Sequence, residues 1–338
     1  MQEARLYDQL EDGLVRCRVC PWYCEIGLGE RGRCQVRENQ DGTLYTLNYG
    51  LIAAASLDPI ERQGLYHLFP GNMILSLGGW GTNLSCRHRA ASPELPPKEE
   101  TRFLDPEKAI NFAIERRCRG VAWGFQEPTV WLEYILDLAM LFRANGMFTL
   151  MITNGYITKE ALDLLGSYLD VYTVELPAVA PEDYAALCEE AQVEPVLEGI
   201  FHMQQHWRCH IELHTPLIPG INDGDDQLND LAVWIRDTLG PDVPWHLWSY
   251  EPAGELADQT ATAPEALVHA SEVGSKAGLR YVYVQTGEVE GLSSTFCPAC
   301  GNLIIRREGH YVIKIVGLEG SKCSQCGQEI HLRRSIFK

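Results

Sequence analysis

Twelve cysteines occur among the 338 residues, and eight of them fall into two groups of four. The first group, Cys17, Cys20, Cys24 and Cys34, has the spacing C-x2-C-x3-C-x9-C, with Gly27, Gly29 and Gly32 before its last member. Four thiolates on a short glycine-rich stretch suit a structural zinc ion or an iron–sulfur cluster, because glycine lets the backbone wrap an ion without obstruction. The second group, Cys297, Cys300, Cys323 and Cys326, reads C-x2-C-x22-C-x2-C, and Gly301 and Gly327 follow its two pairs. These are the knuckles of a zinc ribbon, and four thiolates leave no open position for a substrate, which makes the role structural. A third candidate is Cys86, in the glycine-rich stretch from Ser76 to Arg89. It stands between Thr82 and Arg89 at spacings x3 and x2. Neither neighbour replaces a thiolate: the Thr82 hydroxyl is hard and neutral, and the Arg89 guanidinium stays protonated. His88 is the nearest other donor, so a lone Cys86 has few companions.

The elements that must position these groups alternate from Met73 onward. Short apolar runs at 73–77, 120–123, 147–152, 171–176, 209–217, 245–250 and 281–285 predict strands. Helices are expected from Asp105-Pro106 (an N-cap followed by proline) and over 128–144, 158–168, 181–188, 194–207, 228–239 and 264–277. About six βα units imply a parallel sheet with right-handed crossovers, and function is then expected at the C-terminal strand ends. Three units follow: residues 1–72 with the first cysteine group and a strand pair over 43–55; a partial barrel over 73–290; and a ribbon over 291–338 with strands at 303–306 and 311–316. Cys118 and Cys209 precede strands and belong at the opposite end from the site; Cys188 ends a helical stretch and is placed away from it too. His210, Glu212 and His214 alternate on one strand face and are expected to point inward. His202 and His206 read as ordinary histidines, Trp245, His246 and Trp248 as core, and 91–100 as an exposed loop.

A net charge of −18 argues against non-specific nucleic-acid binding and against anionic membranes. Hydrophobic residues make up 46% of the chain, enough for a sizeable core. No basic and apolar leader opens the chain, and no apolar run is long enough to span a bilayer. A cytoplasmic protein is expected, with cysteines as ligands and not disulfides.

With these residues in view, the chain resembles the radical S-adenosylmethionine (SAM) component of the AmmeMemoRadiSam system, related to pyruvate-formate-lyase activating enzymes. The first cysteine group, Asp58 to Glu61, His67 to Gly71, Glu127-Pro128-Thr129, Thr153 to Tyr156, Leu217 to Asp223, Pro244 to His246, Tyr281 to Tyr283 and the ribbon match the family in order. The resemblance implies a partial (β/α)6 barrel with SAM and a [4Fe–4S] cluster, SAM contacts at Glu127 and Asn154, and Memo-like and AMMECR-type proteins as partners. The departures fall at the chemistry. Where the family carries three cysteines of a CxxxCxxC motif, this chain has Thr82, Cys86 and Arg89. Phe125-Gln126 stands for a usual Tyr-Asn, and Glu175-Leu176-Pro177 for an Asp-Leu-Lys-like strand end. The expectation is a degenerate member, a pseudoenzyme: no [4Fe–4S] cluster at 82–89, zinc in the ribbon and in the N-terminal group, and a binding or scaffold role. The rival is an active radical enzyme that modifies or activates a protein partner.

Overall fold

The computed structural model describes residues 1–89, 102–188, 190–285 and 291–334. The expected loop at 91–100 lies outside the described residues.

Among the described residues, eight strands form the main sheet. They are β1 (Ala54–Pro59), β2 (Met73–Gly78), β3 (Gly120–Trp123), β4 (Phe148–Thr153), β5 (Val171–Glu175), β6 (His210–Leu217), β7 (Trp245–Ser249) and β8 (Val282–Gln285). Their spatial order follows the chain, from β1 at one edge to β8 at the other. β1 is antiparallel to β2, and all later pairs are parallel. β3, whose residues Gly120–Trp123 are buried throughout, has no polar face, as befits a parallel strand covered on both sides.

The crossovers are α1 (Pro106–Glu115), α2 (Leu132–Ala144), α3 (Lys159–Gly166), α4 (Pro181–Cys188), α5 (Glu194–Gln205), α6 (Asp225–Trp234) and α7 (Pro264–Lys276). Their starts follow local chemistry. The Asp105 carboxylate caps α1 by accepting from the Glu107 and Lys108 amides, and the Thr158 hydroxyl caps α3 by accepting from Ala161 N. The segment expected as one helix at 128–144 is divided: Pro128–Trp131 forms a 3-10 turn before α2. α2 buries Leu132, Ile135, Leu138 and Phe142, each contributing roughly 1.5–3 kcal/mol of transfer free energy. Among the described residues, no helix is long and apolar enough to cross a membrane.

The N-terminal strands pair differently from the expectation over 43–55. Thr43–Thr46 pairs with Arg37–Gln40 and with Gln2–Glu3, Leu51–Ile52 pairs with Arg102–Phe103, and the next residues become β1. This region docks on the sheet through a buried ion pair. The two terminal guanidinium nitrogens of Arg37, Nη1 and Nη2, donate to the Glu133 carboxylate on α2, at 3.0 and 2.9 Å.

At the other end, the expected strands are present as Leu303–Glu308 and Tyr311–Ile315, and they pair antiparallel. The Arg307 side chain inserts toward the main sheet and donates to the Tyr66 carbonyl at 2.7 Å. Arg333 exchanges backbone hydrogen bonds with the 67–69 segment, Arg333 N to His67 O at 2.8 Å and Phe69 N to Arg333 O at 2.9 Å. Inside the sheet, Glu212 is fully buried and accepts from the amides of Tyr66 and His67 and from His210 and His246. The inward face expected for His210, Glu212 and His214 is thus present, though its use is to anchor the 66–67 backbone. Burial alone would raise the Glu212 carboxyl, but the two histidine hydrogen bonds hold it well below the usual range.

Candidate functional site at the mouth of the sheet

The loop after β2 carries Thr82, Cys86, His88 and Arg89 across the C-terminal ends of the strands. Two adjoining cavities, of about 430 and 560 Å³, open there. Arg89, Glu127, Asn154 and Glu175 line both, so the two share a wall. Cys86, Thr82 and His88 face the smaller one; Asp58, Arg62, His214 and Trp248 face the larger.

The wall is an ion pair. Arg89 Nε donates to Glu175 at 2.9 Å, and a second guanidinium nitrogen donates to the other carboxylate oxygen. His88 Nε2 donates to the same carboxylate at 3.2 Å. Burial would raise the Glu175 carboxyl; Arg89 beside it, with His88, holds it far below the ordinary value. Glu175 ends β5, so the β2 loop is tied across to β5.

Glu127 and Asn154, expected as SAM contacts, do line the smaller cavity, but their polar atoms are engaged. Glu127 accepts from Thr129 N at 2.9 Å, Thr153 Oγ1 at 2.6 Å and Asn154 N at 2.9 Å. It caps the 3-10 turn and ties the end of β3 to the end of β4. Asn154 donates to Asn83 Oδ1 and accepts from Tyr156 N. Asn83 was not singled out from the sequence; it bridges Asn154, Tyr156 O and, through its own carbonyl, Trp22 Nε1 of the cysteine-rich segment. Before Glu127, Phe125 is held at φ 65° and half exposed at the rim. That conformation is a real outlier for a bulky side chain.

Thr82 is also committed locally: its hydroxyl donates to Leu84 O at 3.0 Å. Cys86 is buried, and its neighbour is a residue the sequence misplaced. Cys188, at the end of α4, lines the same cavity, and the neighbouring Cys86 together with burial holds its thiol well above the usual range. The reason is backbone pairing: Arg87 N donates to Leu187 O at 2.9 Å, which sets the residues on either side against each other. A helix end reads as remote from a loop a hundred residues earlier; only the fold brings them together. Cys118 and Cys209 stand immediately before β3 and β6, at the far end, as expected.

The two cysteine groups differ. The C-terminal thiols all lie within 4.8 Å of one another, with Cys297–Cys326 at 3.5 Å and Cys300–Cys323 at 3.7 Å. Gly301 and Gly327 take φ 71° and 77°, the left-handed turn each knuckle requires. This spacing suits a single tetrahedral zinc ion. Cys17, Cys20, Cys24 and Cys34 line one small, largely apolar cavity together with Arg37. Among the described residues, only the C-terminal group has three or more ligand atoms all within 4.8 Å, so the N-terminal thiols are spread wider. Burial pushes the Cys34 thiol up to about 11, and the Arg37 guanidinium opposes it.

Comparison with known proteins agrees with this architecture. The model of the radical SAM superfamily matches residues 81–232. Uncharacterized protein MJ0808 of Methanocaldococcus jannaschii is 37% identical over 341 residues, covering 98% of this chain and 99% of its own length. GTP 3',8-cyclase of Limosilactobacillus fermentum is 26% identical over 279 residues, covering 75% of this chain and 80% of its own. Among solved structures, a radical SAM methyltransferase from Sphaerobacter thermophilus superposes with a TM-score of 0.52 at 16% identity, over 69% of this chain and 70% of that one. The chain belongs to the radical SAM superfamily.

Proposed function

We propose that this chain is a radical SAM superfamily member that does no radical chemistry and works by binding a polar ligand at the mouth of its sheet. The observation that carries the reading is the donor set around Cys86. A [4Fe–4S] cluster that activates SAM needs three thiolates and leaves one iron open. The positions four before and three after Cys86 hold Thr82, whose hydroxyl is bonded to Leu84 O, and Arg89, whose guanidinium is paired with Glu175. A protonated guanidinium next to the carboxylate it neutralises is no iron ligand. These residues do not fit the cluster. The carboxylate and amide that would receive SAM, Glu127 and Asn154, are spent on joining strand ends. What remains is a pair of cavities with mixed charge, suited to a polar small molecule. Family association extends the proposal to Memo-like and AMMECR-type partners, and the two cysteine groups serve as structural metal sites.

The test is elemental analysis of protein purified and reconstituted without oxygen, with electron paramagnetic resonance after reduction. Zinc with negligible iron and no cluster signal is expected. About four irons per chain with a signal altered by SAM would return the protein to the radical enzymes.

A further inference from the structure

We infer that the edge strand of the ribbon, Tyr311–Ile315, is a docking edge for an extended segment of a partner protein in which apolar and acidic residues alternate. The strand is the last of a three-stranded antiparallel sheet, and among the described residues it pairs only with Leu303–Glu308. Its outer row of N–H and C=O groups is a template for one more strand. Strand alternation puts Tyr311, Ile313 and Ile315 on one side, and they are 59, 51 and 40% exposed. Val316, just beyond, is exposed too. Val312 between them is half-buried and packs toward Gly71, so the strand is held in place while the stripe stays open. A row of large apolar side chains on an open sheet edge is what natural sheets avoid unless something covers it.

The charge around the stripe defines the partner's chemistry. Residues 291–338 carry seven Lys and Arg against three Asp and Glu, in a chain whose net charge is −18. A zinc ion on four thiolates adds about −2, so the loaded ribbon stays positive. Lys314 stands directly opposite Arg306 across the strand pair, and both are exposed. Like charges so placed repel. Glu308 accepts from Arg306 at 2.7 Å, while Lys314 has no ion-pair partner among the described residues. An acidic residue on an added strand would complete that row. A second copy of the same edge would instead bring another positive ribbon against it. A nucleic acid would find one aromatic ring, Tyr311, beside aliphatic side chains that neither stack on bases nor hold phosphate. The strand also lies beside the turn Ile60–Gln63, whose Arg62 and Gln63 line the larger mouth cavity, so a docked segment is close to the mouth.

The experiment uses full-length, zinc-loaded protein and a fluorescein-labelled peptide of about eight residues that alternates valine and glutamate. Controls are the same peptide with lysine for glutamate and a labelled uracil oligonucleotide. The glutamate peptide is expected to bind by fluorescence anisotropy, more weakly as salt rises, and to slow amide exchange over Tyr311–Val316. Ile313→Asp should weaken binding at least tenfold. Lys314→Glu should weaken the glutamate peptide and favour the lysine peptide, a reversal that mere loss of structure does not produce. Zinc per chain is measured in both variants, and the exposed Arg306→Glu keeps the test decisive if either loses its ion. Absence of binding, or equal binding of the two peptides, overturns the docking edge. So does binding of the oligonucleotide alone. Sedimentation showing a wild-type dimer that Ile313→Asp converts to monomer would assign the edge to a second copy and likewise overturn it.

Discussion

Single residues at the mouth divide into those that hold the fold and those left free to act. Glu127 belongs to the first kind. Removing its charge by Glu127→Gln weakens three hydrogen bonds, one capping the 3-10 turn and two joining the end of β3 to β4, and a loss of about 1–3 kcal/mol is expected from urea unfolding. A variant that leaves stability unchanged would free Glu127 for ligand. The buried histidines make a second residue-level prediction. Burial pushes the imidazoles of His67 and His214 down to about 3. In the unfolded chain they titrate near 6.5. Between these values the unfolded state takes up protons that the native state refuses, so stability is full above about pH 6.5 and falls progressively toward pH 3. Urea midpoints followed by tryptophan fluorescence between pH 7 and pH 4 check this, and His214→Gln should flatten the slope. At this scale the sequence was informative about residue type. The knuckle glycines were readable as turns, and Thr82 and Arg89 as side chains without a thiolate. The partners of Cys86 and the bridging role of Asn83 were not readable, because both depend on contacts between residues far apart in the chain.

At the scale of elements, the cysteine-rich segment is fixed to α2 by the Arg37–Glu133 pair, whose side chains are each only 2% exposed. Removing one partner leaves an uncompensated buried charge. Arg37→Met should therefore cost about 3–5 kcal/mol, and the further change Glu133→Leu should recover much of it. Additive losses in the double variant would show the two side chains acting separately. The βα rhythm was legible from 73 onward because each parallel strand is a short apolar run and several helices carry a start signal, as at Asp105 and Thr158. The N-terminal strands were less legible. Thr43–Thr46 takes its partners from Arg37–Gln40 and from Gln2–Glu3, and no local pattern in 43–55 encodes that choice. Likewise β1 joins the main sheet antiparallel to β2, although the intervening turn-rich segment reads as a boundary.

At the scale of the whole molecule, the C-terminal ribbon is more than an appendage. Arg307 reaches Tyr66 O and Thr295 Oγ1, and Arg333 pairs with the segment at His67–Phe69. Cys323→Ser is expected to lose about one zinc per chain and to raise amide exchange at Tyr66 to Phe69, as well as in the ribbon. Exchange confined to the ribbon would mean that the docking survives without the ion. The sequence placed the four thiols and their strands correctly but held nothing about where they dock, since Arg307 and Arg333 look like any exposed basic residues.

That docking has a consequence for how the chain is made. The bridge between Leu68 and Arg333 joins residues near opposite ends of the polypeptide. During synthesis, residues 66–69 emerge long before the segment that completes their hydrogen bonds. Closing so long a loop carries an entropic cost, which the earlier Glu212 contacts to Tyr66 and His67 reduce only in part. The βα units can assemble progressively as they leave the ribosome, while the native state waits for the last strand. A chain stalled before residue 291 would keep the Glu212 bonds to the Tyr66 and His67 amides but leave the Tyr66 and His67 carbonyls and the Phe69 amide without their partners.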